Sequence, residues 1–232
     1  MRETRGATIL LQPDGVRIPT SLPDLESFRR WARSNEFPEK GRIDWIAGDV
    51  EVDMSPEDLN THGSPKAAIA RDLGELIEGA DRGVAYIDST RISAPAGDLS
   101  AEPDVVVILF ESVEAGRVRL VPKKRAVEGR YVEIEGAADL VVECISDSSE
   151  DKDSRRLKEA FWQAGVREYW LVDARVAPPS LTLFRHTSRG YRAVPTRHDG
   201  FTPSPVAGVA VRLVRLPARA GLVRHRLESR PL

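Results

Sequence analysis

Two short apolar runs, each carrying one carboxylate, constrain what this chain can fold into more than any other feature. The first is "EPDVVVILF", Glu102 to Phe110, and the second is "DLVVECI", Asp139 to Ile145. Unbroken runs of this length, rich in valine, read as strands covered on both faces. Such strands have no packing use for Asp104, which opens one run, or for Glu143, where the other would ordinarily take one more valine. A lone buried carboxylate costs on the order of several kcal/mol unless it is paired or coordinates a cation. Two such acids on neighbouring strands point to a cation between them.

The rest of the chain supplies layers for those strands. In "DSRRLKEAFWQAG", Leu157, Ala160, Phe161 and Ala164 recur at helical spacing, with Asp153 or Ser154 as the expected cap and Gly165 as the stop. "VREYWLVDA" follows as a strand, so strand, helix and strand form a crossover that feeds a parallel pair. Upstream, "SLPDLESFRRWARSNEFP" predicts a short amphipathic helix. "GRIDWIAGDVEVDMSP" predicts a hairpin turning at "AGD", with Asp44, Glu51 and Asp53 opposite its apolar face. "THGSPKAAIARDLGELIEGA" predicts a helix capped by Ser64, with Pro65 in its first turn and Ile69, Leu73, Leu76 and Ile77 as its buried stripe. Val84 to Ser93 reads as one strand, 111–137 as a loop or irregular strand, and "SLTLFRHTSRGYRAV" as a hairpin on a sheet edge. The proline-rich stretch from Pro203 to Pro217 closes the domain. Together these predict an α/β fold with a mixed central β-sheet flanked by α-helices.

Charge and composition narrow the function classes. The 34 basic and 36 acidic residues give a net charge of −2, so the chain is not a polycation that holds nucleic acid by bulk charge. Two local stretches are basic, Arg117 to Arg130 and Val211 to Arg226; each reads equally as a phosphate track or a solvated edge. The single cysteine, Cys144, excludes an internal disulfide and packs as a small hydrophobe. His62, His186, His198 and His225 lack zinc-ligand spacing. No apolar run approaches the roughly 20 residues a membrane helix needs, and the first ten residues lack a signal-peptide core, so no membrane partner and a cytoplasmic location are expected.

Oxygen ligands with open positions suit Mg²⁺, with Mn²⁺ as a substitute. Such an ion positions a water and stabilises charge on a phosphodiester oxygen. Lys152 and Lys158 follow Glu143 closely enough to orient that water or hold the phosphate. Tyr169 and Trp170 read as core, and Ser146 and Asp173 as turn formers or supports of the site.

"GDVEVDMSPEDLNTHG", "EPDVVVI", "LVVECISDSSEDKD" and "AGVREYWLVDAR" occur in this order, and together they resemble the Uma (Uma two) family of restriction-endonuclease-like proteins, a branch of the PD-(D/E)XK nuclease superfamily. The resemblance spans roughly Gly41 to Arg185. It implies a restriction-endonuclease-like fold and a Mg²⁺-dependent endonuclease acting on DNA, with Asp104 and Glu143 as the metal ligands. It also implies that Asp44, where the family has a glutamate, and His62, at the head of a helix, line the same cleft. The lysine of a plain E-x-K motif is replaced by Ile145, and the alternative family position in the following helix is Leu157. Lys152 is the expected replacement, and Lys158 the second choice. The implied organisation is an N-terminal helical segment (1–40), a nuclease domain (41–213) and a basic tail (214–232), working as a homodimer. Two alternatives stand beside it. One is a nuclease fold with a decayed site that binds DNA or a partner protein without cutting; the other keeps the chemistry on RNA or a small phosphate ester.

Overall fold

The computed structural model describes residues 8–11, 15–123 and 128–232. β1 (Thr8–Leu11) and β2 (Val16–Pro19) form an antiparallel pair, followed by α1 (Leu25–Ala32). The hairpin of β3 (Arg42–Ile46) and β4 (Asp49–Asp53) leads through a wide helical turn, Leu59–Gly63, into α2 (Ser64–Glu78). β5 (Gly83–Ile87), β6 (Ile92–Ala94), β7 (Leu99–Ala101) and β8 (Val105–Leu109) precede the short α3 (Phe110–Glu114). Next come β9 (Val118–Pro122), β10 (Tyr131–Gly136), β11 (Leu140–Cys144), a second wide turn at Lys152–Leu157, and α4 (Lys158–Ala164). β12 (Glu168–Asp173), β13 (Ser180–Thr187), β14 (Gly190–Ala193), β15 (Thr202–Ser204), β16 (Val209–Arg219) and β17 (Leu222–Pro231) follow.

The central sheet runs β14-β13-β12-β11-β8-β5. It is mixed as expected: β11 and β12, joined through α4, are parallel, whereas β8 runs antiparallel to β11. Side chains alternate across a strand. Val105, Val107, Leu140, Val142, Cys144, Trp170 and Val172 therefore enter one apolar cluster with Ile69, Leu73 and Ile77 of α2. Val106, Ile108, Val141 and Tyr169 enter another with Phe161 of α4 and with Ile92 and Leu99. Those last two belong to a second six-stranded sheet, β4-β3-β7-β6-β10-β9, which lies over that face of the central sheet. Cover on both sides is the physical reason for unbroken valine runs. α4 comes so close to this second sheet that a Cβ added at Gly97 would collide with the Ala160 carbonyl oxygen. A third cluster joins Phe28 and Trp31 of α1 to Ile43 and Trp45 of β3, and Arg29 of α1 pairs with Glu133 and Glu135 of β10.

Several expectations change. The single strand expected over Val84 to Ser93 is two strands in different sheets, because Asp88 and Ser89 take positive φ and turn the chain between them. The irregular segment 111–137 holds α3 and the β9–β10 pair; its residues 124–127, in the basic stretch from Arg117, lie outside the described residues. Of that stretch, Arg117 pairs with Asp139 and Arg119 with Glu135. Residues 214–232, expected as a basic tail, hold the end of β16 and all of β17, and the strands run on past Pro217. β16 and β17 form a long antiparallel hairpin whose Val211, Leu213 and Leu227 complete the first apolar cluster. Hydrogen bonds fasten β17 to the α2 region: Val223 N donates to Asn60 Oδ1 (3.1 Å), Ser64 Oγ to Val223 O (2.9 Å), and Leu227 N to Asp72 Oδ2 (2.8 Å), with His225 Nδ1 3.0 Å from Ser64 Oγ.

Candidate active site

The antiparallel register of β8 and β11 pairs Val107 with Leu140, Val106 with Val141 and Val105 with Val142. One more step brings Asp104 beside Glu143, on the face turned toward the second sheet. Asp104 has no exposed surface. Its Oδ2 accepts the Cys144 N–H (2.7 Å) and lies 3.4 Å from His62 Nε2, and its Oδ1 accepts Arg42 Nη2 (2.7 Å) with Lys66 Nζ at 3.9 Å. Burial alone would raise the Asp104 pKa. The His62 ring, the Arg42 guanidinium and the Cys144 N–H outweigh it and hold the carboxyl well below the usual range.

Glu143 is the opposite case. It is 1% exposed, and neither carboxylate oxygen has a hydrogen-bond partner among the described residues. Arg42 Nη1 stands 3.9 Å from its Oε2, too far for a hydrogen bond. Burial first, and then the Asp104 charge, push the Glu143 pKa well above the usual carboxylate value.

Both helices that serve the site enter through wide helical turns, a distortion frequent at functional sites. At the first, the Gly63 N–H reaches back five residues to Asp58 O (2.9 Å), and His62 turns inward. Asp58 caps this turn by accepting the Asn60 and Thr61 N–H groups, so Ser64 is not the cap; its hydroxyl bonds the C-terminal hairpin instead. At the second, the helix starts at Glu150, three residues before the expected cap. Asp153 is therefore inside the helix, its N–H bonded to Ser149 O (2.8 Å), and its carboxylate is 1% exposed within the site. Asp153 Oδ2 accepts the Ser149 hydroxyl while Oδ1 has no hydrogen-bond partner among the described residues. Burial, against the pull of Lys152, pushes the Asp153 pKa up to about 6.

Lys152 points the same way. Its Nζ lies 3.6 Å from Asp44 Oδ2 and 4.0 Å from Asp153 Oδ1. Burial would lower the Lys152 pKa, but the charges of Asp44, Glu143 and Asp153 more than reverse it, and the ammonium is retained. Asp44 is also buried, on the β3–β4 hairpin of the second sheet; its Oδ1 accepts the Glu102 N–H (3.1 Å). For His62, burial would lower the pKa, and the hydrogen bond and charge of Asp104, with Glu57, raise it instead.

The fold thus gathers Asp44, His62, Asp104, Glu143 and Lys152 around one charged cluster. Lys158 is elsewhere, its ammonium 4.5 Å from the centre of the Phe184 ring. Ile145 and Leu157 are both buried, Leu157 in the apolar cluster around Phe161. Sequence reasoning passed over Arg42, Glu57, Lys66 and Asp153. Glu57, His62 and Asp104 each bring one ligand atom within 4.8 Å of the others, a second arrangement able to hold a metal ion. Two clefts, of about 350 and 480 Å³, share Arg42, Asp53 and Ser148 as lining; His62 lies on the first, Asp44 and Lys152 on the second. A more open cleft of about 1220 Å³ between α2 and β17 contains none of the five residues.

A search of curated proteins finds no match to this sequence. Among solved structures, a "putative nuclease belonging to DUF820" from Anabaena variabilis superposes with a TM-score of 0.58 at 16% sequence identity, covering 79% of this chain and 90% of that one. At that identity the likeness is one of fold. The model of the Uma2 family, described as "Putative restriction endonuclease", matches residues 25–216, a span that holds Asp44, His62, Asp104, Glu143 and Lys152. The chain, with its two acids on adjacent strands of the mixed sheet, therefore belongs to the Uma2 family.

Proposed function

We propose that this protein is a divalent-metal-dependent endonuclease that hydrolyses phosphodiester bonds in DNA. One observation carries the reading: Glu143 is buried beside Asp104, and neither of its oxygens has a hydrogen-bond partner among the described residues. Oxygen donors with this deficit of partners fit a hard cation such as Mg²⁺, for which Mn²⁺ substitutes. When bound, such an ion lowers the pKa of a water and neutralises charge that develops on the phosphate. Asp104 and Glu143 would hold it, on adjacent strands whose packing fixes their separation.

The other residues have separate tasks. Lys152, kept as an ammonium by the surrounding acids, donates hydrogen bonds to the attacking water or to the scissile phosphate. Asp44 steadies that ammonium from 3.6 Å. His62 holds Asp104 from the side of α2. Exposed Arg215, Arg219, Arg224 and Arg226 of the β16–β17 hairpin offer contacts to the DNA backbone. Cutting both strands of a duplex is organised by two copies on a two-fold axis, so the reading includes a homodimer.

The second reading is a DNA-binding or partner-binding module without cleavage. It is favoured by the Arg42 guanidinium, which already sets positive charge against both acids. Mn²⁺ titration calorimetry and plasmid nicking on wild type, Asp104→Ala and Glu143→Ala separate the two. Metal binding and nicking in wild type, lost in both variants, is the expected result. Nicking by pure Asp104→Ala protein would overturn the assignment of Asp104 and Glu143 as the metal ligands of the reaction, and metal binding without nicking would leave the module.

A further inference from the structure

Arg42 opens β3 and reaches across to the ends of β8 and β11. Its Nη2 donates to Asp104 Oδ1 at 2.7 Å and its Nη1 stands 3.9 Å from Glu143 Oε2. Among the described residues no other basic side chain lies within ion-pair distance of Glu143. Asp104, by contrast, also has His62 and Lys66. The guanidinium therefore provides the nearest positive charge to the two carboxylates from which the metal reading starts.

Arg42 is also placed to leave. Its side chain is 21% exposed, and it lines both clefts beside the acids, so it can swing toward either without disturbing a packed core. A planar guanidinium that gives up a carboxylate takes a phosphate with the same two-pronged geometry.

We propose that Arg42 is a built-in competitor of the metal: it holds the position between Asp104 and Glu143 until a DNA phosphate draws it away. The inference rests on the metal-dependent reading above. A cation that enters beside a guanidinium already set against both carboxylates meets its repulsion and gains less from them, so metal affinity is lowered in the free protein. When DNA is bound, Arg42 moves to a backbone phosphate, and Glu143 loses the one basic group within ion-pair distance of it among the described residues, while Asp104 keeps His62, Lys66 and the Cys144 N–H. DNA and metal then strengthen each other's binding by the same factor, as linkage requires. The arrangement keeps the site poorly loaded until substrate arrives.

The test is Mn²⁺ titration calorimetry on the full-length wild type and on Arg42→Gln, each with and without a short phosphorothioate duplex that resists cleavage. Arg42→Gln is expected to bind Mn²⁺ about tenfold or more tightly than wild type when DNA is absent. The duplex is expected to tighten Mn²⁺ binding in wild type by more than it does in the variant. Arg42→Lys, which keeps the charge but cannot span both acids, is expected to fall between them. It supplies the comparison if Arg42→Gln does not fold, and the wild-type response to DNA needs no variant. Mn²⁺ binding that depends on Glu143 but is equal or weaker in the Arg42 variants, or is untouched by DNA in wild type, overturns the inference and leaves the endonuclease reading standing. Absence of Mn²⁺ binding in all of the proteins, with and without DNA, overturns both.

Discussion

Replacing Asp153 by asparagine isolates what it costs to keep a carboxylate inside this fold. The side chain is 1% exposed, its Oδ2 accepts the Ser149 hydroxyl, and Oδ1 lacks a hydrogen-bond partner among the described residues. Asparagine has the same shape and can accept the same hydroxyl, but carries no charge. An acid whose proton is held more tightly in the folded chain makes folding less favourable as pH climbs from the usual 3.8, and the full penalty is in place above about 6. Each tenfold change in proton affinity is worth about 1.4 kcal/mol, so the rise to about 6 corresponds to about 3 kcal/mol. For a chain of this length that is a melting-temperature gain of roughly 6–12 °C. The assay is urea unfolding of wild type and Asp153→Asn between pH 3.5 and pH 8, with a chelator present throughout. The variant should be more stable by about 3 kcal/mol at pH 8 and close to wild type below about pH 4. A gain of the same size at both ends of the range, or none at pH 8, would refute the account of Asp153 as a buried, poorly compensated charge.

Other perturbations test the remaining parts. Lys152→Met is expected to lower the nicking rate about 100-fold or more while Mn²⁺ affinity, read by calorimetry, does not fall; Lys158→Met, which loses only its place over Phe184, should nick at the wild-type rate. Gly97→Ala forces a methyl group against the Ala160 carbonyl and should cost about 1–3 kcal/mol in urea unfolding. Asp72→Ala removes the acceptor of the Leu227 N–H and should cost about 1–3 kcal/mol, with faster hydrogen exchange along β17 as the local signature.

What could be read from the sequence follows from how many layers each residue meets. Strands covered on both faces have no polar positions to spare, so "DVVVIL" and "LVVECI" announced themselves, and the carboxylates within them stood out as anomalies. β16 and β17 were harder because arginines fill so many of their outward positions. Only the packed fold reveals that Val211, Leu213 and Leu227 finish a core begun by α2. Asp153 was misjudged for a local reason. A serine or aspartate before a helical apolar stripe is the usual sign of a cap, and the same letters serve a helix that starts three residues earlier and turns its acid inward. Arg42 gave no signal at all, since an arginine entering a hairpin looks like any of the 34 basic residues until the chain folds its guanidinium onto Asp104. The departure at Leu157 was visible, and the proximity of Lys152 to Asp44 is a property of the wide turn that no residue spacing encodes.

The fastening of β17 to α2 also sets an order of events in the making of the protein. Asn60 and Val223 are separated by 163 positions in the chain, and Asp72 and Leu227 by 155. Chains emerge from the ribosome with the N-terminal part first, at roughly 5–20 residues per second, so the helix that carries Lys66 and adjoins His62 waits on the order of 8–30 s for its clamp. Until then the apolar stripe of α2 lacks one of its walls, and the helix that carries Lys66 and follows His62 is without this fastening. On the endonuclease reading proposed above, the α2 side of the site is therefore fastened only once β17 has been made.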